Sequence, residues 1–137
     1  MRNIKDMNVV FVNMPLRESA VPNTPPEGPG ILASILKNEG TNVSLIDLNG
    51  KRIVDNIALK RGLPRGRHMT YSEAKDYFLA HIKKNGTPDV VALSGMITTL
   101  RWQEEMSKII KEILPDCFLV TGGGLATEIN RGLFNMC

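Results

Sequence analysis

The 137-residue sequence predicts a single α/β domain built on a doubly wound parallel sheet. Two observations support this fold class. Four short apolar runs lack the polar alternation of one-sided sheets, which is typical of parallel strands that are buried on both faces. Segments with helical spacing separate these runs, and strands that alternate with helices form right-handed crossovers in an open parallel sheet.

The predicted strands are the runs in which Val, Leu, Ile or Phe follow one another. They cover Asn8–Asn13, Asn42–Asp47, Asp89–Gly95 and Cys117–Gly123. The chain holds only two cysteines, Cys117 and Cys137, whose separation matches no zinc, iron–sulfur or disulfide-framework spacing. Cys117 is therefore interpreted as a core residue that opens the fourth strand.

The three strongest predicted helices end close to residues that stop helices, namely Gly40, Gly86 and Pro115. The predicted helices are Gly30–Asn38, Ser72–Lys84 and Leu100–Leu114, with a weaker one at Ile53–Lys60 and a last one that begins near Ala126. This order of elements is flavodoxin-like or Rossmann-like. Both folds have more than four strands, so we expect the sheet to be small or truncated before its fifth strand, as in an N-terminal fragment of a larger protein.

The composition is that of a soluble globular protein, with 42% hydrophobic residues, 23% charged residues and a formal net charge of +3. Lys and Arg are scattered, and the densest basic stretch, residues 59–68, is interpreted as a solvated loop, although its charge also suits phosphates. The sequence shows no signal peptide and no run of about 20 apolar residues that could span a membrane. We therefore expect a cytoplasmic protein that binds neither nucleic acid nor a membrane.

An unusually long loop follows the first predicted strand. Residues Met14–Pro29 hold five of the eight prolines, whereas a connection between a strand and a helix usually needs about two to six residues. Ligands of open α/β sheets bind at the carboxyl ends of the strands. Two further segments, SGMITT (Ser94–Thr99) and TGGGLAT (Thr121–Thr127), follow strands three and four at that edge. The three segments together therefore predict a ligand site.

Each of these segments also has a purely structural interpretation. Gly122, Gly123 and Gly124 allow a flat ligand to approach the backbone, but the same run also suits a tight turn without a ligand. The hydroxyls of Thr98 and Thr99 can bind a ligand or cap the next helix. The prolines and glycines before the first helix likewise suit either a close ligand or a rigid helix entry.

Nucleotide-binding motifs do not account for the three segments. The first turn lacks G-x-G-x-x-G, although Asp47 stands where that fold carries an acidic residue, and no G-x-x-x-x-G-K-[ST] loop occurs. A phosphorylated receiver domain needs acidic residues where this chain has Asn13, Met14 and Ser94. Two alternatives stay open: a flavodoxin-like domain that binds a flavin or nucleotide, and an interaction domain whose sheet edge holds no ligand.

Three motifs span most of the chain: PPEGPGILASILKNEG at residues 25–40, PDVVALSGMITT at 88–99 and PDCFLVTGGGLAT at 115–127. They fit the patterns P-P-x-G-x-x-x-L-A-x-x-L-x-x-x-G, P-D-V-V-x-x-S and P-x-x-x-x-V-x-G-G-x-x-A-T. In this order and spacing, the sequence resembles the N-terminal cobalamin (vitamin B12)-binding domain of cobalamin-dependent radical SAM proteins. That group includes the anaerobic magnesium-protoporphyrin monomethyl ester cyclase and many methyltransferases.

The resemblance implies that residues 1–137 form a cobalamin-binding domain. The loops after strands one, three and four would carry the flat corrin ring and its dimethylbenzimidazole tail. The chain by itself would be non-catalytic and would present cobalamin to the radical SAM domain of its parent, whose 4Fe-4S cluster and S-adenosylmethionine lie outside this chain. The cofactor-binding residues implied are Asn13, Pro15, Pro25, Gly28, Ser94, Gly95, Met96, Thr98, Thr99, Gly122, Gly123, Gly124, Leu125 and Thr127.

Two motifs found in related proteins are absent. Many cobalamin domains carry D-x-H-x-x-G in the first loop, where the histidine coordinates cobalt, but Met14–Pro29 contains no histidine. The radical SAM subgroup commonly lacks it too, so we expect histidine-off binding, with His68 and His81 poorly placed to replace it. The chain also lacks the C-x-x-x-C-x-x-C triplet of an iron–sulfur cluster, so it cannot cleave S-adenosylmethionine alone.

Overall fold

The computed structural model describes residues 3–15, 25–50, 60, 69–124 and 126. These residues form one parallel sheet of four strands in the order β2-β1-β3-β4. The strands are β1 (Asn8–Asn13), β2 (Asn42–Asp47), β3 (Val90–Ser94) and β4 (Phe118–Gly122). With β1 between β2 and β3, the strand order is that of flavodoxin rather than of the Rossmann fold. The order in which strands are added to the sheet reverses between β1 and β3, which is the topological switch point.

Strands β1 and β2 have the predicted bounds, whereas β3 and β4 are one residue shorter at each end. The carboxylate of Asp89 accepts a hydrogen bond from the backbone N–H of Asn8 at 2.9 Å. Asp89 directly precedes β3 and thus fixes the start of β1 instead of belonging to the strand. At the other end of the sheet, Gly123 has a φ of +87°, which ends the extended backbone of β4.

Three helices are described completely: α1 (Glu27–Asn38), α2 (Tyr71–Asn85) and α3 (Leu100–Ile113). Helix α1 begins three residues before its predicted start, because the N–H of Gly30 already bonds to the carbonyl of Pro26 at 2.9 Å. Helix α2 begins with a capping box between Thr70 and Glu73. The predicted helix Ile53–Lys60, except its last residue, and most of the helix predicted near Ala126 lie outside the described residues.

The hydrophobic core lies on both faces of the sheet, as the unalternated strands predict. One face packs against α2 and α3, where the fully buried side chains include Val10, Val12, Val91, Leu93, Phe78, Met106 and Ile110. The opposite face packs against α1, where Val9, Phe11 and Val43 contact Ala33 and Leu36. Helices on both faces confirm the doubly wound architecture.

The outer part of the α1 face has little cover from the described residues. Strand β4 is the last strand of the described sheet, and the side chains of Phe118 and Val120 on this face are 74% and 46% exposed. Right-handed crossovers place α2 and α3 on the other face, which leaves α1 as the one completely described helix here. A fifth strand next to β4 stays a prediction.

Among the helices that the structure describes, none combines the length and the apolar character that a membrane span requires.

Candidate functional site

The last residues of all four strands form one row across the sheet. Asp47, Asn13, Ser94 and Gly122 are neighbours in register, in the order β2-β1-β3-β4. We call this row and the loops that follow it the carboxyl edge. By strand alternation, the four residues belong to the α1 face, because they share the parity of Val9 and its partners. The side-chain amide of Asn13 donates to Asp47 at 2.9 Å, which fixes both groups beside the switch point.

The loop between β3 and α3 is fixed by its own hydroxyl group. The Oγ1 of Thr99 accepts a hydrogen bond from the N–H of Met96 at 3.1 Å and donates one to the carbonyl of Met96 at 2.8 Å. Thr99 is buried, so its hydroxyl serves the loop, whereas the side chains of Met96, Ile97 and Thr98 are exposed. Of the two predicted threonines in this loop, Thr98 is therefore the one whose side chain is exposed to a ligand.

The glycine run after β4 combines a close backbone contact with open space. A Cβ on Gly123 would lie 2.6 Å from the carbonyl oxygen of Gly95, so the backbones of the two loops touch at this point. The positive φ of Gly123 is a conformation that favours glycine. A Cβ on the neighbouring Gly124 would meet no atom of the described residues within 4 Å. Gly123 thus joins two loops of the carboxyl edge, and Gly124 leaves an open surface beside them.

The first loop is described only at its two ends. The N–H of Met14 donates to the carbonyl of Ser94 at 3.1 Å, so the chain leaves β1 along β3, and the buried Pro15 follows. Pro25 is exposed just before α1, and a Cβ on Gly28 in the first turn of α1 would meet no atom of the ranges that the structure describes within 4 Å. Of the remaining predicted residues, Leu125 and Thr127 lie outside the described part, as do residues 16–24 of the loop.

The predicted set did not include Gln103, although it lies at this edge. Its side chain is 2% exposed, and its Oε1 accepts a hydrogen bond from the hydroxyl of Thr121 at 3.4 Å. Its Nε2 is buried and has no hydrogen-bond partner among the described residues. The sequence carried one signal for this residue: Gln103 shares the inward face of α3 with the core residues Met106 and Ile110, at positions i, i+3 and i+7.

The described histidine lies far along the sheet from the carboxyl edge. Nε2 of His81 is 2.8 Å from the hydroxyl of Ser44, in the middle of β2. The end of α2 that carries His81 contacts the start of β1, since the Asn8 amide donates to the carbonyl of Gly86 at 3.2 Å. Burial lowers the pKa of His81, and the nearby Lys84 lowers it further. His68 lies outside the described residues.

Neither cysteines nor acidic clusters mark a metal site in the described residues. Cys117 is buried directly before β4, as predicted for a core residue, and burial raises the pKa of its thiol. Within the ranges described, no three His, Cys, Asp or Glu side chains lie close enough together to hold a metal ion. The chemistry of the carboxyl edge, in its described part, is thus that of backbone amides, hydroxyls, carboxamides and the carboxylate of Asp47.

Comparison with known proteins agrees with this geometry. The fold is similar to a region of the structure of the radical S-adenosylmethionine methyltransferase TsrM from Kitasatospora setae. The TM-score is 0.60 and the sequence identity is 16%. The match covers 85% of this chain and 19% of that one, so this chain spans about a fifth of the length of the methyltransferase. A search of curated proteins gives no match. The model of the B12 binding domain family matches residues 15–135, and the chain therefore belongs to the B12-binding domain family.

Proposed function

We propose that this chain holds cobalamin over its carboxyl edge without a histidine on cobalt, and presents it to a radical SAM domain elsewhere in its parent protein. Family membership supports cobalamin as the ligand. The single observation that carries the proposed position is the row of strand ends, Asp47 to Gly122, with the loops of β3 and β4 in backbone contact above it. This edge lies at the switch point where open α/β sheets bind ligands.

The residues at this edge fit a large flat ligand. A corrin ring needs a surface without protruding side chains, and at the exposed Gly124 and Gly28 no described atom fills the space where a side chain would stand. It also needs groups that bond to its amide side chains, and Ser94 and the exposed Thr98 supply hydroxyls. The Thr99 hydroxyl and the contact between Gly95 and Gly123 hold these loops in one arrangement, which lowers the entropy lost when a ligand binds.

Cobalamin supplies, when bound, a cobalt centre that can carry and give up a methyl group. The chain itself binds and orients the corrin. Its exposed Met96, Ile97 and Thr98 would lie around the ligand, and the core beneath β1 and β3 would keep the platform rigid.

The proposed partner is a radical SAM domain in the same polypeptide. A methyltransferase of that class contains a region with this fold within a chain about five times longer. The present chain lacks the cysteine triplet of an iron–sulfur cluster. S-adenosylmethionine and its 4Fe-4S cluster would therefore belong to the partner domain, and the carboxyl edge of this chain would face it.

The first test is direct binding. We expect the purified protein to retain hydroxocobalamin through gel filtration, with the corrin absorbance eluting together with the protein. The control is the same protein mixed with a flavin, which should separate completely if the carboxyl edge fits a corrin rather than an isoalloxazine ring. Complete loss of the corrin from protein that is folded by circular dichroism, in this chain and in a longer form of the parent, would contradict the proposal.

The lower face of cobalt provides a second prediction. We expect that electron paramagnetic resonance of bound cob(II)alamin shows no threefold splitting by a histidine nitrogen, because the described histidine, His81, bonds to Ser44 in the middle of β2. The variants His81→Ala and His68→Ala should leave the spectrum unchanged. Splitting that is present in the wild type and absent from either variant would show a histidine on cobalt and would reject the histidine-off mode.

A further inference from the structure

The side chain of Gln103 has a donor group that the fold does not use. Gln103 is 2% exposed, and its Nε2 finds no hydrogen-bond acceptor among the described residues. Buried polar groups in folded proteins almost always have a partner, so an exception calls for an explanation. Since the inward face of α3 otherwise carries Met106, Ile109 and Ile110, an apolar side chain would suit this position better for stability alone.

The unpartnered amide lies directly at the carboxyl edge. A Cβ on Gly95 would lie 2.5 Å from Nε2 of Gln103 and even closer to Oγ1 of Thr99, so the amide lies directly beside the first residue after β3. Its other end is fixed by the hydroxyl of Thr121, one residue before the end of β4. The side chain therefore joins the two strands whose loops touch at Gly95 and Gly123.

The neighbouring polar groups are already engaged. The Thr99 hydroxyl donates to the carbonyl of Met96, and it accepts from the N–H of the same residue. The absence of a side chain at Gly95 lets the Thr99 hydroxyl and the Gln103 amide pack directly against the β3 loop, because even a methyl group there would collide with both. The unused donor therefore lies immediately beside the backbone of a loop that belongs to the carboxyl edge.

We propose that Gln103 is a ligand-recognition residue, whose Nε2 donates a hydrogen bond to an oxygen or nitrogen acceptor of the bound corrinoid, directly or through one ordered water. This inference rests on the proposed function and extends it to the α3 side of the sheet. The acceptor belongs either to the amide side chains of the corrin or to the nucleotide tail, which share the chemistry of a hydrogen-bond acceptor. Gln103 would thus link ligand binding to the contact between the β3 and β4 loops.

The test compares Gln103→Met with the wild type, using hydroxocobalamin and cobinamide as ligands. Methionine has nearly the volume of glutamine and no donor group. We expect the dissociation constant for hydroxocobalamin to rise about 10-fold, which corresponds to about 1.4 kcal/mol. We also expect the melting temperature of the ligand-free variant to stay within about 3 °C of that of the wild type, because removal of the buried unpartnered amide offsets the loss of the hydrogen bond from Thr121. A residue with only a structural role would not weaken binding while stability is unchanged.

Cobinamide lacks the nucleotide tail, so the comparison of the two ligands shows which part of the corrinoid accepts the hydrogen bond from Gln103. An unchanged affinity for cobinamide assigns the acceptor to the tail, and an equal loss for both ligands assigns it to the corrin amides. The matched control is Ser107→Ala on the same helix, which removes a hydroxyl bonded to the carbonyl of Gln103 and should leave both affinities unchanged. Wild-type affinity of Gln103→Met for both ligands would overturn the inference. If the wild type binds neither ligand, the proposed function fails, and the role of Gln103 fails with it.

Discussion

Gly123→Val is expected to lower the free energy of unfolding by at least about 2 kcal/mol. Two effects add at this position. The φ of +87° strains any residue with a Cβ, and that Cβ would lie 2.6 Å from the carbonyl oxygen of Gly95. Relief of the collision requires the β3 and β4 loops to move apart, so cobalamin affinity should fall as well. Urea unfolding followed by circular dichroism gives the stability, and absorbance titration gives the affinity.

The control for this variant is Gly124→Val, one residue along the chain. A Cβ on Gly124 would meet none of the described atoms within 4 Å, and its φ is not in the left-handed region. We expect its unfolding midpoint in urea to stay close to that of the wild type, while the added side chain obstructs the ligand and weakens binding. Equal stability of the two variants would contradict the backbone contact at Gly123. Undiminished binding by Gly124→Val would mean that the ligand does not cover this part of the edge.

Thr99→Val is expected to cost about 2 kcal/mol of stability, although valine has almost the shape of threonine. The substitution leaves the N–H of Met96 without its acceptor and removes one of the two donors to the Met96 carbonyl. The side chain is 1% exposed, so water has little access to replace the lost hydroxyl. We expect a lower urea midpoint and a weaker affinity for hydroxocobalamin, because the loop that carries Met96 and Thr98 loses its fixed conformation.

Thr99→Ser separates the hydroxyl from the methyl group. Serine keeps both hydrogen bonds to Met96 and should restore most of the stability and affinity that Thr99→Val loses. The exposed neighbour provides a second control, since Thr98→Val should change the urea midpoint by no more than a few tenths of a kcal/mol. Equal loss in the serine and valine variants would show that the packing of the methyl group, rather than the hydroxyl, fixes this loop.

The strands were predictable because their signal is local. Runs such as Val9 to Val12 carry apolar side chains on both faces of the strand. A parallel sheet that is covered by helices on both faces is the structure that buries such runs. The strand order was not predictable, because the choice between flavodoxin-like and Rossmann-like order depends on which strand lies beside β1. That neighbour is β3, and the register of Asn13 with Ser94 reports a long-range contact that no local pattern encodes.

The row of strand ends that forms the carboxyl edge was predictable, whereas the role of each residue there was not, and the ligand site at this edge stays a prediction. Strand ends and glycines indicated the edge, and the structure brings Asn13, Ser94 and Gly122 into one row there. The sequence left open whether Thr99 binds a ligand or serves the fold, and only the geometry shows its hydroxyl engaged with Met96. Gln103 was missed, because a lone polar residue on the inward face of a helix has no motif, and its unpartnered amide becomes visible only in three dimensions.

The outer side of β4 affects how the protein behaves at high concentration. A strand that borders a sheet offers its backbone groups to any other extended chain, and exposed apolar side chains such as Phe118 make such pairing more favourable. Because β4 ends at Gly122, a strand added beside it would also restrain the backbone that leads into Gly123. Whatever pairs with β4, whether more of the same polypeptide or another molecule, therefore affects both the solubility of the protein and the rigidity of the surface on which we propose that the corrin rests.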